Sequence, residues 1–294
     1  MSLIHPQLVA LHAVIEEGSF EKAARRLSLT PSAISQRIKT LEDRLGQVLV
    51  LRQVPCRTTI AGARLLRGVQ QMRLLEREAL ETFAEPLATR EPIAIAVNAD
   101  SLATWLLDAI AGLHEKHGLL FDIHVEDQDH STALLRNGSV MGAVTSDALR
   151  LQGCHVHRLG TMRYLPVASP SFVKQHFSEG LGASSMSQAP MLVFNRKDDL
   201  QRRFIRSITR AKLAPPIHYI PSPHAFVGAA EYGLGWGMAP ESMAKQRIKE
   251  GTLCAIAPRR WLDVPLFWQH WALQSHTLDL IATWLDRAAK HVLR

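Results

Sequence analysis

Ser32, Ser35, Gln36 and Lys39 follow one another at spacings of three, one and three, so a helix through them carries all four on one face. These side chains form no nucleophile–base pair. They are donors and acceptors of the kind that reads base edges and phosphates in the major groove of DNA. Gln36 has the paired amide groups that match adenine, and Ser32 and Ser35 add hydroxyls. Arg37 and Lys39 are placed for phosphates, Thr30 for capping the helix and donating to a phosphate, and Arg52 and Arg57 for phosphates or the minor groove from a following turn. A second polar set stands where a strand should end: Asn98, Asp100 and Ser101 follow the apolar run Ile93–Val97. Free N–H groups at a helix start there favour a ligand carboxylate. Thr145 and Ser146 end a later strand, and Ser222 opens a helix further on, so each can face the same ligand. Capping alone also accounts for Asp100 or Ser101.

The elements that position these residues follow from apolar spacing. Gln7–Glu17 reads as a first helix, ended by Gly18, with Ser19 free to cap the next. Thr30-Pro31 then opens a helix whose Ile34, Ile38, Leu41 and Leu45 form one apolar stripe opposite Ser32 and Gln36. Gly46 ends it, and Val48–Val50 with the Arg57–Thr58 segment reads as a small wing. Thr59–Glu85 is one long helix with Leu65, Val69, Met72, Leu75, Ala79 and Phe83 on a stripe. That pattern suits pairing with a second copy, or docking on its own chain. Pro86 and Pro92 bracket a hinge. From Ile93 onward strands and helices alternate in two series, the second starting at the strand Tyr164–Ala168. Parallel-rich sheets, two subdomains and a cleft between them follow.

Composition limits the function. The 294 residues carry a net charge of +7, and 47% of them are hydrophobic, as in a soluble globular protein with a polyanionic partner. Ten Lys/Arg against five acids within residues 1–70 concentrate that charge around the helix pair. Cys56, Cys154 and Cys254 are isolated, which suits free thiols in a reducing compartment. Residues Met1–Pro6 lead straight into a helix without a signal peptide, no stretch spans a membrane, and a cytoplasmic location is expected. No GxSxG, HExxH or P-loop occurs. Gly233–Gly237 lacks phosphate-loop spacing and reads as a helix-to-strand turn. Cys154, His155 and His157 lack a second pair of metal ligands. No catalytic, metal or cofactor role is expected.

The stretch GSFEKAARRLSLTPSAISQRIKTLEDRLG followed by LVLRQVPCRTTIAGARLL closely resembles the winged helix-turn-helix of LysR-type transcriptional regulators, and the long helix and α/β remainder extend the likeness over the chain. AVNADSLATWLL at 96–107, VEDQD at 125–129, GAVTSD at 142–147 and the terminal KHVLR resemble the ArgP/LysG branch. The resemblance implies an N-terminal all-α winged helix-turn-helix (1–60), a linker and dimerisation helix with hinge (61–90) and a C-terminal α/β effector domain (91–294). That domain would be built like periplasmic binding proteins from two Rossmann-like subdomains, about 91–162 with 268–294 and about 163–267. It implies double-stranded operator DNA and RNA polymerase as partners. It implies a homodimer through the 61–85 helix that assembles into a homotetramer. It also implies lysine or arginine as effector and a transport or export gene as target. A basic effector needs an anion, for which Glu126, Asp127, Asp198 and Asp199 are candidates. The branch often has Gln-Ser where this chain has Pro31-Ser32. Proline offers no amide to adenine, so base readout shifts to Ser32, Ser35 and Gln36. An α/β solute-binding protein or small enzyme with no DNA-binding role is the alternative. The basic head and missing leader count against the first, and the missing acid/base motif against the second.

Overall fold

A computed structural model describes residues 3–80, 91–126 and 128–294; the expectations for Phe83, Pro86 and Asp127 lie outside the described residues. The head packs α1 (Pro6–Glu17), α2 (Phe20–Arg26) and α3 (Pro31–Leu45) around Leu11, Val14, Ile34 and Ile38. Ala23 and Ala24 are fully buried, and their small side chains let α2 approach both neighbours. Ser19 caps α2 by accepting from the Lys22 N–H, and Gly46, at φ 62°, turns the chain off α3 in the left-handed region that favours glycine. Leu45 departs from the expected stripe. It is 49% exposed, because the last turn of α3 runs past the core. The wing pairs β1 (Val50–Leu51) with β2 (Arg57–Thr58), two residues later than Val48–Val50, and Val48 is exposed.

Helix α4 (Ile60–Leu80) begins beneath the wing, where a Cβ on Gly62 would strike the Leu49 carbonyl. Further along it docks on its own chain. Leu74 is completely buried with Ala96, Leu135, Val140, Trp271 and Leu278. The Arg67 guanidinium donates to the Gly153 carbonyl at 3.0 Å. The Glu78 carboxylate accepts from the Ser275 hydroxyl at 2.5 Å and the Thr277 N–H at 2.9 Å. Arg73 and Arg77 both pair with Glu91. The expected stripe is thus divided. Val69 is buried, whereas Met72 and Leu75 face outward, 44% and 39% exposed.

The remainder begins with β3 (Ile93–Val97). A continuous helical run follows: α5 (Ala99–Ser101), a π turn (Leu102–Leu106) and α6 (Leu107–His117). Next come β4 (Phe121–Val125), α7 (Gln128–Asn137), β5 (Gly142–Thr145) and the long β6 (Cys154–Ala168). A second series holds α8 (Pro170–His176), α9 (Ala183–Gln188), β7 (Met191–Val193), α10 (Leu200–Ile208), β8 (Ile217–Tyr219), α11 (Pro223–Glu231), β9 (Gly237–Pro240), α12 (Glu241–Glu250) and β10 (Cys254–Ala255). The strand β11 (Leu262–Trp271) then returns beside β6, and α13 (His276–Val292) closes the chain. The main sheet runs β10-β6-β11-β5-β3-β4, with β9 on β6. Among the described residues only β3–β4 and β3–β5 are parallel within it; β7–β8 form a separate parallel pair. The parallel-rich expectation is corrected here: the longest pairing, β6 with β11, is antiparallel. The strand expected from Tyr164 begins ten residues earlier, at Cys154, where His, Arg and Gly break the apolar alternation. Helices α9 and α12 lie outside the sequence expectation; α9 is a short serine-rich turn and α12 buries only Met243 and Ala244. Helix α13 covers the sheet with Leu278, Ile281, Leu285 and Ala289, at spacings of three, four and four.

Truncating Leu74 to alanine removes the apolar anchor of α4 and is expected to lower stability by about 2–5 kcal/mol. Urea unfolding of the full chain checks this; a change below about 1 kcal/mol would mean that α4 does not depend on this packing.

Candidate functional site

Two sites emerge, one on the head and one in the α/β part. On α3, the Thr30 hydroxyl accepts from the Ala33 N–H at 3.2 Å and lies 3.0 Å from the Ser32 hydroxyl. At about 100° per residue, Ser32, Ser35, Gln36 and Lys39 fall within an arc of roughly 100°. Ser32, Gln36 and Lys39 are exposed on that face. Ser35 is half-buried because Arg52, from the wing, donates to its hydroxyl at 3.3 Å. The same guanidinium sits 5.1 Å over the Phe20 ring, which holds the wing against α2 and α3. Arg57 is exposed on β2. Arg37 stands half-buried on the flank of α3, beside the Ser32–Gln36 face. The head therefore presents a polar ridge that carries Lys39 and is bordered by Arg52 and Arg57, a shape and charge suited to a DNA groove.

The second site is a cavity of about 620 Å³ between the ends of β3, β4 and β5 on one side and the 194–203 segment on the other. Of the expected residues, Asn98, Asp100, Glu126, Ser146 and Asp198 line it. Ser101, Thr145 and Ser222 do not. Ser101 is fully buried behind the wall. The Thr145 hydroxyl accepts from the Asp147 N–H at 3.1 Å, and Ser222 caps α11 by accepting from the Ala225 N–H at 3.4 Å. Asp199 borders the cavity but is paired with Arg206 at 2.5 Å. Residues the sequence reading missed complete the lining, chiefly Tyr164, Asn195, Lys197 and Arg203, with Val264–Leu266 of β11. Tyr164 sits within a strand and belongs to no motif, so nothing in the spacing marked it.

The cavity's charge is arranged unevenly. The Tyr164 hydroxyl donates to Asp100 Oδ2 at 2.6 Å. Burial pushes the Asp100 carboxyl up to about 6; the Tyr164 hydrogen bond opposes this and the nearby Asp198 charge adds to it. Asp198 is held in place by the Phe194 and Leu200 N–H groups, each 3.0 Å from one of its oxygens. The buried Asn98 Oδ1 has no hydrogen-bond partner among the described residues. Two fixed carboxylates, with Glu126 nearby, thus share a confined space, an arrangement that a bound cation would relieve.

The His155–His157 pair acquires a neighbour in space, His270. Its ring stacks on His157 at 5.3 Å and 8°, and lies 5.7 Å from His155. Parallel rings do not converge their lone pairs on one point, and no metal-ligating group of three occurs among the described residues. Burial lowers His270 to about 4, which keeps it neutral. Gly233–Gly237 is the turn between α11 and β9. No described helix is long and apolar enough to cross a membrane.

Residues 5–63 match the bacterial regulatory helix-turn-helix protein, lysR family, and residues 88–290 match the LysR substrate binding domain. The chain belongs to the LysR family. It is 48% identical to the HTH-type transcriptional regulator LysG of Mycobacterium tuberculosis over 290 residues, 98% of this chain and 94% of that protein. Among solved structures, ArgP from Mycobacterium tuberculosis superposes with a TM-score of 0.90 at 48% identity, covering 100% of this chain and 99% of that one. Full-length LysG from Corynebacterium glutamicum with bound effector Arg has a TM-score of 0.81 at 37% identity, covering 99% and 100%. This LysR-family chain is therefore a DNA-binding transcriptional regulator of LysG/ArgP type rather than an enzyme. The solute-binding and enzymatic alternatives end there.

Replacing Gln36 by alanine is expected to remove about 1–3 kcal/mol of preference for specific over random DNA. Arg52→Ala should weaken both to a similar extent; gel shifts on the two DNAs separate them, and equal losses for Gln36→Ala would refute its base contact. Asp100 supplies a pH test. Its folded carboxyl titrates near 6, above the unfolded range, so its ionised form costs stability in full above pH 6 and not at all below about pH 4. Asp100→Asn should stabilise the ligand-free protein by up to about 3 kcal/mol at pH 7.5. That gain should vanish at pH 4; equal melting shifts at both values would contradict the burial argument.

Proposed function

We propose that this regulator binds a basic amino acid, arginine or lysine, in the acid-lined cleft and thereby controls a transport or export gene. The single observation behind this reading is the confinement of Asp100, Asp198 and Glu126 around one cavity of amino-acid size. The Arg-bound LysG relative supports it. The carboxylates receive the ligand's cationic end, while Ser146, Asn98 and the cations Lys197 and Arg203 offer partners to its carboxylate. Ser32, Ser35 and Gln36 read base edges, and Thr30, Arg37, Lys39, Arg52 and Arg57 contact phosphates. The working units are the head 1–60, the linker 61–90 and the effector domain 91–294. Two copies pair through the 61–85 helix, whose Met72 and Leu75 are exposed, and pairs assemble into a tetramer that engages RNA polymerase in the cytoplasm. The ligand closes the cleft and re-spaces the heads, which it does only by binding one arrangement more tightly than the other.

Calorimetry on the full chain tests the ligand. Arginine or lysine should bind saturably and citrulline, which lacks the charge, should not. Glu126→Gln and Asp198→Asn should each weaken binding roughly tenfold or more, since a hydrogen bond to a charged group is worth about 1.5–3 kcal/mol. Unchanged affinity in both variants removes the basic amino-acid reading.

A further inference from the structure

The head holds only part of the chain's positive charge. Residues 196–212 carry seven Lys/Arg against two acids, Asp198 and Asp199. The centre of this segment is α10, a strongly two-sided helix. Phe204 and Ile205 are buried on its inner side, while Arg202 and Arg206 are exposed, about 40° apart around the axis. Arg210 and Lys212 continue the exposed basic run past the helix end. Arg260 donates to the Ser207 carbonyl at 2.5 Å, which brings the exposed Arg259–Arg260 pair against the same end. Among the described residues Arg206 is matched by Asp199 at 2.5 Å, whereas Arg202, Arg210, Lys212 and Arg259 have no ion pair or hydrogen bond.

Helix electrostatics does not explain this face. Cations near a helix C-terminus are favourable, which accounts for Arg206. Arg202 stands in the first turn, where the dipole disfavours a cation. A row of unmatched guanidinium groups raises the energy of the folded state by mutual repulsion, and an external polyanion removes that repulsion. A protein partner would need an apolar or aromatic anchor at the centre of the contact. Within 196–212 no large hydrophobic side chain is exposed, and the exposed aromatics at the edges of the face, Trp261 and Tyr219, already carry the guanidinium groups of Arg163 and Arg196 on their rings, at 4.2 and 5.2 Å. Planar guanidinium forks without base-reading amides on the same face match phosphate oxygens.

We propose that the α10 face, with Arg202, Arg210, Lys212 and Arg259, is a second DNA-binding surface that grips the phosphate backbone of sequence flanking the site read by the head. The grip carries no sequence information. It lies on the helix whose Arg203 also lines the ligand cleft, so the cleft and the flanking surface share one helix.

The test uses the full-length protein, the DNA upstream of its own gene trimmed to the footprint of the head, and the same site with both flanks. The variant is Arg202→Gln/Arg210→Gln/Arg259→Gln, which leaves Arg203 and the cleft intact. Affinity is measured across a salt series. On the flanked duplex the variant's log–log salt slope should be shallower by about 2–3, close to 0.9 for each phosphate no longer neutralised, with affinity reduced roughly tenfold. On the trimmed duplex the two proteins should match. The corresponding triple lysine variant should keep the steep slope, because phosphate binding reads charge. An unchanged melting temperature and unchanged arginine calorimetry show that the variant is folded. Equal slopes on the flanked duplex overturn the proposal. Equal DNA binding with reduced transcription also overturns it and assigns the face to an acidic protein surface instead.

Discussion

The antiparallel pairing of β6 with β11 is the constraint on which the rest of the effector domain depends. It runs from Leu262 opposite Tyr164 to Trp271 opposite Cys154, a span of about 30 Å at the usual rise per residue. One end forms a wall of the ligand cavity through Tyr164 and Val264–Leu266. The other end holds α4: Trp271 and Cys154 pack in the cluster that buries Leu74, and the Gly153 carbonyl takes the Arg67 guanidinium. Between them the register shifts at Leu266/Phe267, which leaves Leu159 without a partner in the ladder. Such a bulge bends and twists a strand locally. A change in the cleft and a change at the linker helix are therefore two ends of one sheet element.

The cleft shows how function and stability oppose each other here. Two acids elsewhere are closely neutralised: Glu16 is lowered to about 2 beside His12 and Arg26, and Glu91 lies between Arg73 and Arg77. In the cleft, Asp100 keeps a raised carboxyl beside Asp198, with a tyrosine hydroxyl rather than a cation as partner. A buried carboxyl raised beside a second acid in a confined site marks a place suited to a charge arriving from outside. The backbone N–H groups that fix Asp198 belong to the loop leading into α10, so the anion is positioned before any ligand enters and little ordering remains to be done on binding.

Local chemistry was the legible part of the sequence. Caps at Ser19 and Thr30, proline at the start of α3 and glycine after it are signals of one or two residues, and the helices stand where those signals put them. Sheet architecture was legible only in part. Strand–helix alternation suggests a parallel sheet, but the two strands that cross between the series pair antiparallel, and that pairing joins residues about 100 apart in sequence. For the cleft, the rule that ligands sit beyond strand ends selects segments and not side-chain directions. Asn98, Asp100, Glu126, Ser146 and Asp198 face inward. Ser101, one residue from Asp100, points into the core because neighbouring helix positions differ by about 100°. Thr145 and Ser222 spend their hydroxyls on local N–H groups. Tyr164 and Arg203 come from a strand interior and a charged helix face, patterns that by themselves carry no message about a site.

The long helix docks on its own chain without using its whole apolar surface. Leu66, Val69 and Leu74 are buried against its own chain, while Met72 and Leu75 lie on a separate, exposed row. Apolar coverage wider than docking alone uses is what made its pattern ambiguous as a sequence. With Gly62 against the wing at one end and Glu78 bonded to Ser275 and Thr277 at the other, the helix is fixed to the reading head and to the start of α13 at once. Any partner packed on Met72 and Leu75 would therefore meet a helix already tied at both ends. In that arrangement a rotation of the effector domain about α4 strains its buried packing unless the head turns with it.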